Sequence, residues 1–168
     1  MGRDSRLLGN NKEADETYTP VGAVSNLFPF LQHDKVYYEA TSEHSSTIME
    51  ALGNNGYMVV GNCGVDFFEC TSDDVCDAIV TNPPYSIKDK FIEHCYNLGK
   101  PFALLLPVAA FQGQKRGTLF KQYGISALVY NSRVDFTGKG APTFGVAWFM
   151  GNGFSDHMKG EDGRIWFV

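Results

Sequence analysis

At 168 residues, with 43% hydrophobic and 14% aromatic side chains, the chain is long enough to bury one core of ordinary domain size. A formal net charge of -5 excludes a protein that grips nucleic acid by bulk electrostatics, because phosphate neutralisation needs clustered Lys and Arg. The longest apolar run, around residues 101–111, is far below the ~18 residues of a membrane span, and no leader pattern is present, so no membrane partner is expected.

Residues 1–16 are polar and too poor in apolar surface to offset their ordering entropy; they read as a flexible tail. Residues 17–168 then form a single domain, without a separate target-recognition domain. Cys63, Cys70, Cys76 and Cys95 make no CxxC pair, which fits a reduced, cytoplasmic setting. His44 has no second His at ligand spacing, so no metal is expected.

Taken in chain order, Thr19-Pro20 reads as a helix start, Thr as cap and Pro in the first turn. Val21, Val24, Leu27 and Phe28 follow at helical spacing, and Pro29 ends or kinks the helix. Short apolar runs at 36–40, 57–61, 77–81 and 102–106 read as strands. Between the first two, Ile48 and Leu52 share a helix face that Gly53 terminates. Between the last two, Phe91, Ile92, Cys95 and Leu98 form a stripe ended by Gly99 and Pro101.

The last third changes character. Runs at 127–130, 134–136, 145–150 and 165–168 are β-type and separated by Gly, Pro and Asn, which predicts hairpin pairing at one sheet edge and no further crossovers. The whole reads as an α/β protein, a doubly wound, mostly parallel sheet with an antiparallel carboxyl-terminal hairpin edge.

Asn82-Pro83-Pro84-Tyr85 follows the run 77–81 directly, so it lies at the carboxyl end of a central strand, where open α/β sheets bind ligands. Two prolines fix their own φ and restrict the residue before each, making a stiff extended turn. An exocyclic amine conjugated to a ring is a poor nucleophile. Two acceptors on its hydrogens, the Asn82 side-chain oxygen and the Pro83 carbonyl, favour a pyramidal nitrogen with its lone pair free. Tyr85 adds a flat face for a ring rotated out of a duplex. Read without that chemistry, the same tetrapeptide is a turn after a buried strand.

This segment resembles the N6-adenine-specific, NPPY-type amino-methyltransferases that use S-adenosylmethionine, in particular small phage-encoded members. The similarity is densest over 77–108, including Lys88-Asp89-Lys90-Phe91 and Gly99-Lys100-Pro101-Phe102, and extends more weakly over most of the chain. It implies a Rossmann-like methyltransferase fold, S-adenosylmethionine as cofactor, DNA as the nucleic-acid substrate, and a host cytoplasm. Tyr18, Thr19 and Pro20 match the cofactor-contacting amino-terminal motif. Glu39, Ala40 and Thr41 match the first-strand motif, and Asn82 also borders the cofactor. Asp66 and Phe67, followed by Phe68, match an acidic-aromatic motif at a third strand, and Asn62 stands where an acidic residue holds the ribose. Phe136, Lys139 and Phe144 match the late loop that closes on a flipped base, as partners of Tyr85.

Two glycine positions of the family's first loop are occupied by Glu43 and Ser45, which brings side chains toward the cofactor carboxylate. An alternative reading is therefore a catalytically silent relative that binds a protein or nucleic-acid partner. Adenine in RNA or a protein amide is the other substrate class compatible with a planar nitrogen. Gln114-Lys115-Arg116 reads as a solvated helix face or a phosphate contact. A protein partner or second copy would help so small and acidic a chain hold duplex DNA.

Overall fold

The computed structural model describes residues 19–136, 144–156 and 163–168. Among the described residues seven strands form one sheet: β1 (Val36–Glu39), β2 (Met58–Gly61), β3 (Ala78–Thr81), β4 (Phe102–Pro107), β5 (Ser126–Val129), β6 (Val146–Gly151) and β7 (Ile165–Phe167), in the order β2-β1-β3-β4-β6-β5-β7. The pairs β1/β2, β1/β3 and β3/β4 are parallel, and β6 runs antiparallel to both β4 and β5. The expected doubly wound sheet with an antiparallel end is present.

The sheet is covered on both faces, which is why its central strands are continuously apolar. Alternate residues go to opposite sides. Ala103 and Leu105 of β4 join α1 (Val21–Ser25) and α2 (Thr47–Asn54) through Val24, Ile48 and Leu52, with Leu27 just beyond α1. Phe102, Leu104 and Leu106 join α3 (Lys88–Leu98) through Phe91, Ile92 and Cys95. The stripe predicted on α3 is buried as read, and Gly99 ends the helix at φ 69°, the left-handed turn that a bare backbone makes most easily.

Several expectations are corrected. Thr19 does not cap α1; Pro20 occupies that position without a side-chain bond, and α1 ends at Ser25, before Pro29, which lies in a separate 3-10 turn, Phe28–Phe30. Gly53 does not stop α2, which runs to Asn54. Gly56, at φ 80°, makes the turn, while Tyr57 N–H bonds back to the Leu52 carbonyl. Residues 66–68 contain no strand, because the Asp66 carboxylate accepts the Phe68 N–H at 3.0 Å and starts a 3-10 turn, Phe67–Glu69.

Residues 134–136 form no strand either, since β5 already has β6 on one side and β7 on the other. A further crossover does occur. Helix α4 (Gln114–Tyr123) carries the chain from β4 to β5, which run parallel to each other with β6 between them, and β7 is parallel to β5 instead of forming a hairpin. Among the described residues no helix is long and apolar enough to cross a membrane.

Candidate active site

Neighbouring parallel strands β1 and β3 end side by side, and their last residues, Glu39 and Thr81, are both fully buried. Glu39 Oε1 accepts from the Thr41 N–H at 3.0 Å, the Thr41 hydroxyl at 2.9 Å and the Thr81 hydroxyl. A buried carboxylate is tolerated only when donors converge on it in this way. Thr81, directly before the Asn-Pro-Pro-Tyr turn, thus ties that turn to the end of β1.

Above this floor lies a cavity of about 270 Å³ lined by Thr19, Glu39, Thr41, Ser42, Ser45, Ser46, Thr47, Ile48 and Asn82. Its hydroxyl-rich wall is built by a tight loop and the start of α2, where Ser46 caps the helix by accepting the Met49 N–H at 3.2 Å. The loop sits hard against β2: the Asn62 N–H donates to the Ser42 carbonyl at 2.8 Å, and a Cβ on Gly61 would stand 2.4 Å from that same oxygen. Glu43 is exposed and lies against His44 at 3.6 Å, away from the cavity, whereas Ser45 is part of its lining. Of the two residues at glycine positions, only Ser45 enters the space in question.

Asn82 closes the opposite wall, its Nδ2 donating to the Thr19 hydroxyl at 2.9 Å. Thr19 reaches this place because the Ala23 carbonyl of α1 accepts from the Trp148 indole at 2.8 Å and the Tyr130 hydroxyl at 2.5 Å, which fastens the helix to the sheet. Pro83 is buried and Pro84 is half-buried with extended backbone; Tyr85 begins a 3-10 turn, Tyr85–Ile87. The Tyr85 hydroxyl is buried with no hydrogen-bond partner among the described residues, and desolvation pushes its pKa up. Its ring meets Phe144 edge-on, centroids 5.8 Å apart at 77°.

Other residues singled out from the sequence lie elsewhere. Asn62 bonds to the Ala40 carbonyl at 3.2 Å and lines a second cavity of about 170 Å³ with Tyr38, Cys70 and Asp74. Phe67 is buried in the core, stacked on Phe91 at 5.0 Å, and neither it nor Asp66 lines the larger cavity. Phe136 packs against the α1/α2 side of the core. Tyr18 and Lys139 lie outside the described residues. Arg116 is committed to Asp89 and to the carbonyls of Ala110 and Gln112, so it is not a free phosphate contact.

Sequence reading missed Ser46, Thr47 and Thr81. Ser46 carried a legible signal, a serine two residues before the apolar stripe Ile48/Leu52. Thr81 carried none beyond adjacency to the motif, because its bond to Glu39 spans two strands.

The lining suits an amino-acid-like group. One carboxylate, Glu39, can face an ammonium, and the hydroxyls with the positive end of α2 can face a carboxylate. The volume lies just below the ~300–1,000 Å³ usual for small-molecule pockets, so it matches one end of a larger ligand.

A mostly parallel sheet covered on both faces, with its crevice at the carboxyl ends of β1 and β3, is a Rossmann-like α/β fold. Similar solved structures include one assigned as the modification subunit of a type I restriction enzyme from Vibrio vulnificus YJ016, with TM-score 0.55 and 14% identity over 96% of this chain. Another is assigned as an RNA methyltransferase from Pyrococcus horikoshii, with TM-score 0.53 and 14% identity, covering 82% of this chain and 85% of that one. The chain spans about half, 48%, of the Vibrio protein. At such identity the likeness is one of fold. No protein-family model matches the sequence, and no curated protein matches it.

Proposed function

We propose that this chain is an S-adenosylmethionine-dependent methyltransferase acting on the N6 amine of adenine in nucleic acid, with DNA as the substrate, and that residues 17–168 are its single domain. The observation that carries the reading is the position of Asn82. It stands at the carboxyl end of β3, as the first residue of a diproline turn, on the wall of the cavity that also holds Glu39 and Thr19. On this reading the donor and the amine lie on opposite sides of one side chain.

S-adenosylmethionine, when bound, supplies an electrophilic methyl group. The chain's own task is to orient. Glu39 and the hydroxyls of Thr41, Ser45 and Ser46 hold the amino-acid end, while the Asn82 side-chain oxygen and the Pro83 carbonyl accept the two amine hydrogens and leave the nitrogen lone pair directed at the methyl. Tyr85 and Phe144 supply aromatic walls for the base. The names carried by the two neighbours, one a restriction-modification subunit and one an RNA methyltransferase, are in keeping with a nucleic-acid substrate.

Calorimetric titration with S-adenosylmethionine, combined with radiolabelled methyl incorporation into adenine-containing DNA, tests the reading. Binding and transfer are expected, and Asn82→Ala is expected to lower kcat by about 100-fold or more, the scale of losing an aimed acceptor. Absence of both binding and transfer removes the proposal. RNA and a glutamine-containing peptide run in parallel, with product mass measured, separate the other amine substrates.

A second reading is favoured by one observation: Asn62, Asp66 and Phe67, matched by resemblance to adenosine contacts, do not line the cavity that Glu39 and Asn82 share. On that reading the chain is a silent relative that keeps the fold and binds a partner. Titration separates the two, since a silent relative gives no heat with the cofactor.

A further inference from the structure

We propose that Thr19 is a positioning residue that fixes the orientation of the Asn82 amide and couples it to occupancy of the cofactor cavity; the inference rests on the methyltransferase reading above. An asparagine amide is nearly symmetric in shape but opposite in chemistry at its two ends, so a half-turn about its last bond replaces an acceptor by two donors. Only the orientation that turns Oδ1 toward the substrate can accept an amine hydrogen. Thr19 Oγ1 stands 2.9 Å from Asn82 Nδ2 and accepts from it, which holds Nδ2 on the Thr19 side and sets Oδ1, enclosed in this structure, on the other side of the amide.

A hydroxyl, however, both donates and accepts, and with its proton turned toward Asn82 it would select the opposite flip. What decides the matter is where the Thr19 proton goes. Thr19 is 7% exposed and lines the cavity, so an acceptor held there can take its proton and leave the oxygen lone pair for Asn82 Nδ2. The same wall carries the amino terminus of α2 and the hydroxyls of Ser45 and Ser46, groups that favour a carboxylate. A carboxylate in the cavity therefore locks Thr19 as an acceptor toward Asn82, and the amine-binding face is set by the ligand on its other side. Binding is ordered as a consequence, donor first and amine second, without any backbone movement.

Thr19 is well placed for this role because α1 is clamped through the Ala23 carbonyl to Trp148 and Tyr130, so the hydroxyl cannot drift from Asn82 while the helix stays docked. The bond joins residues 63 apart in sequence.

The test compares the full chain with Thr19→Val, which keeps the shape and removes the hydroxyl, and Thr19→Ser, which restores it. The side-chain 15N–1H amide signals of Asn82 are recorded with and without S-adenosylhomocysteine, whose carboxylate is that of the donor. In the natural protein and in Thr19→Ser these signals should shift and sharpen on binding. In Thr19→Val they should start from a different position and not sharpen. Transfer to DNA should show kcat lowered about tenfold in Thr19→Val, the scale of one hydrogen bond, with KM for DNA moved by less.

Thermal unfolding of all three proteins, with matched midpoints, establishes that folding is not the cause of any difference; if Thr19→Val does not fold, Thr19→Ala, which also lacks the hydroxyl, takes its place and is read through the same signals. S-adenosylhomocysteine binding that leaves the Asn82 amide unmoved in the natural protein, or an identical response in Thr19→Val, overturns this inference and spares the methyltransferase reading. No binding of S-adenosylhomocysteine to the natural protein overturns both.

Discussion

Tyr85 is expected from the sequence to offer a flat face to a substrate, and its ring stands beside Phe144, but its hydroxyl is enclosed without a partner among the described residues. A buried hydroxyl in that state contributes a desolvation cost and no compensating bond. Tyr85→Phe is therefore expected to leave stability unchanged or raise it by about 1 kcal/mol, read from urea midpoints; a clear loss would reveal a partner for the hydroxyl. Glu39 presents the opposite case. Its carboxyl group is buried as well, yet three donors meet one of its oxygens, so the enclosure is sustained. Neither outcome was legible in the residue types, because both depend on which atoms arrive from strands and loops distant in sequence.

At the scale of elements, the site is made by ends. The carboxyl ends of β1 and β3, the amino terminus of α2 and the amino terminus of α1 meet around one cavity, and the loop between β1 and α2 closes against β2. Gly61 is the point of closest approach, with no room for a Cβ beside the Ser42 carbonyl. Gly61→Ala should push residues 42–43 off β2, cost about 1–3 kcal/mol and weaken cofactor binding more than it weakens the fold. Calorimetry and denaturation on the same sample separate the two effects, and unaltered affinity at reduced stability would detach this loop from the site. Elements with strong local signals, such as α3 with its stripe and Gly99, were legible. The extent and crossover role of α4 and the placement of β7 were not, because α4 has no fully buried residue to mark its face beyond the solvated stretch at 114–116, and β7 is chosen by the free edge of β5.

Across the whole molecule, burial leaves several weak acids with no route to ionise. Desolvation raises the pKa of the Cys95 thiol and of the Tyr85 and Tyr130 phenols above their ordinary values of 9.0 and 10.0. The folded state thus keeps protons that the unfolded chain releases, and because the folded values are raised, the stability is intact below pH 9 and falls as pH rises from there. Urea midpoints at pH 7, 9 and 10 should decline progressively, most steeply once the phenols of the unfolded chain ionise. A midpoint that stays constant to pH 10 would contradict the burial of these groups. The net charge of -5 acts at the same scale, since with few phosphate contacts available the salt dependence of any DNA binding should be shallow.

The amino-acid sequence by itself determined the sheet class, the four parallel strands within a residue or so, the stripe of α3 and the place of the Asn-Pro-Pro-Tyr turn at a strand end. Each is written in local periodicity or in backbone restriction by proline and glycine, which act within a few residues. Tertiary structure alone decided that Thr19 serves Asn82 and not its own helix, that Thr81 and Glu39 share a bond, that Phe67 belongs to the core, and that Glu43 faces solvent while Ser45 faces the cavity. Those are contacts between segments 24 to 63 residues apart, or choices of side-chain direction within an irregular loop. No periodic pattern encodes them, because they exist only once the strands that carry them stand side by side.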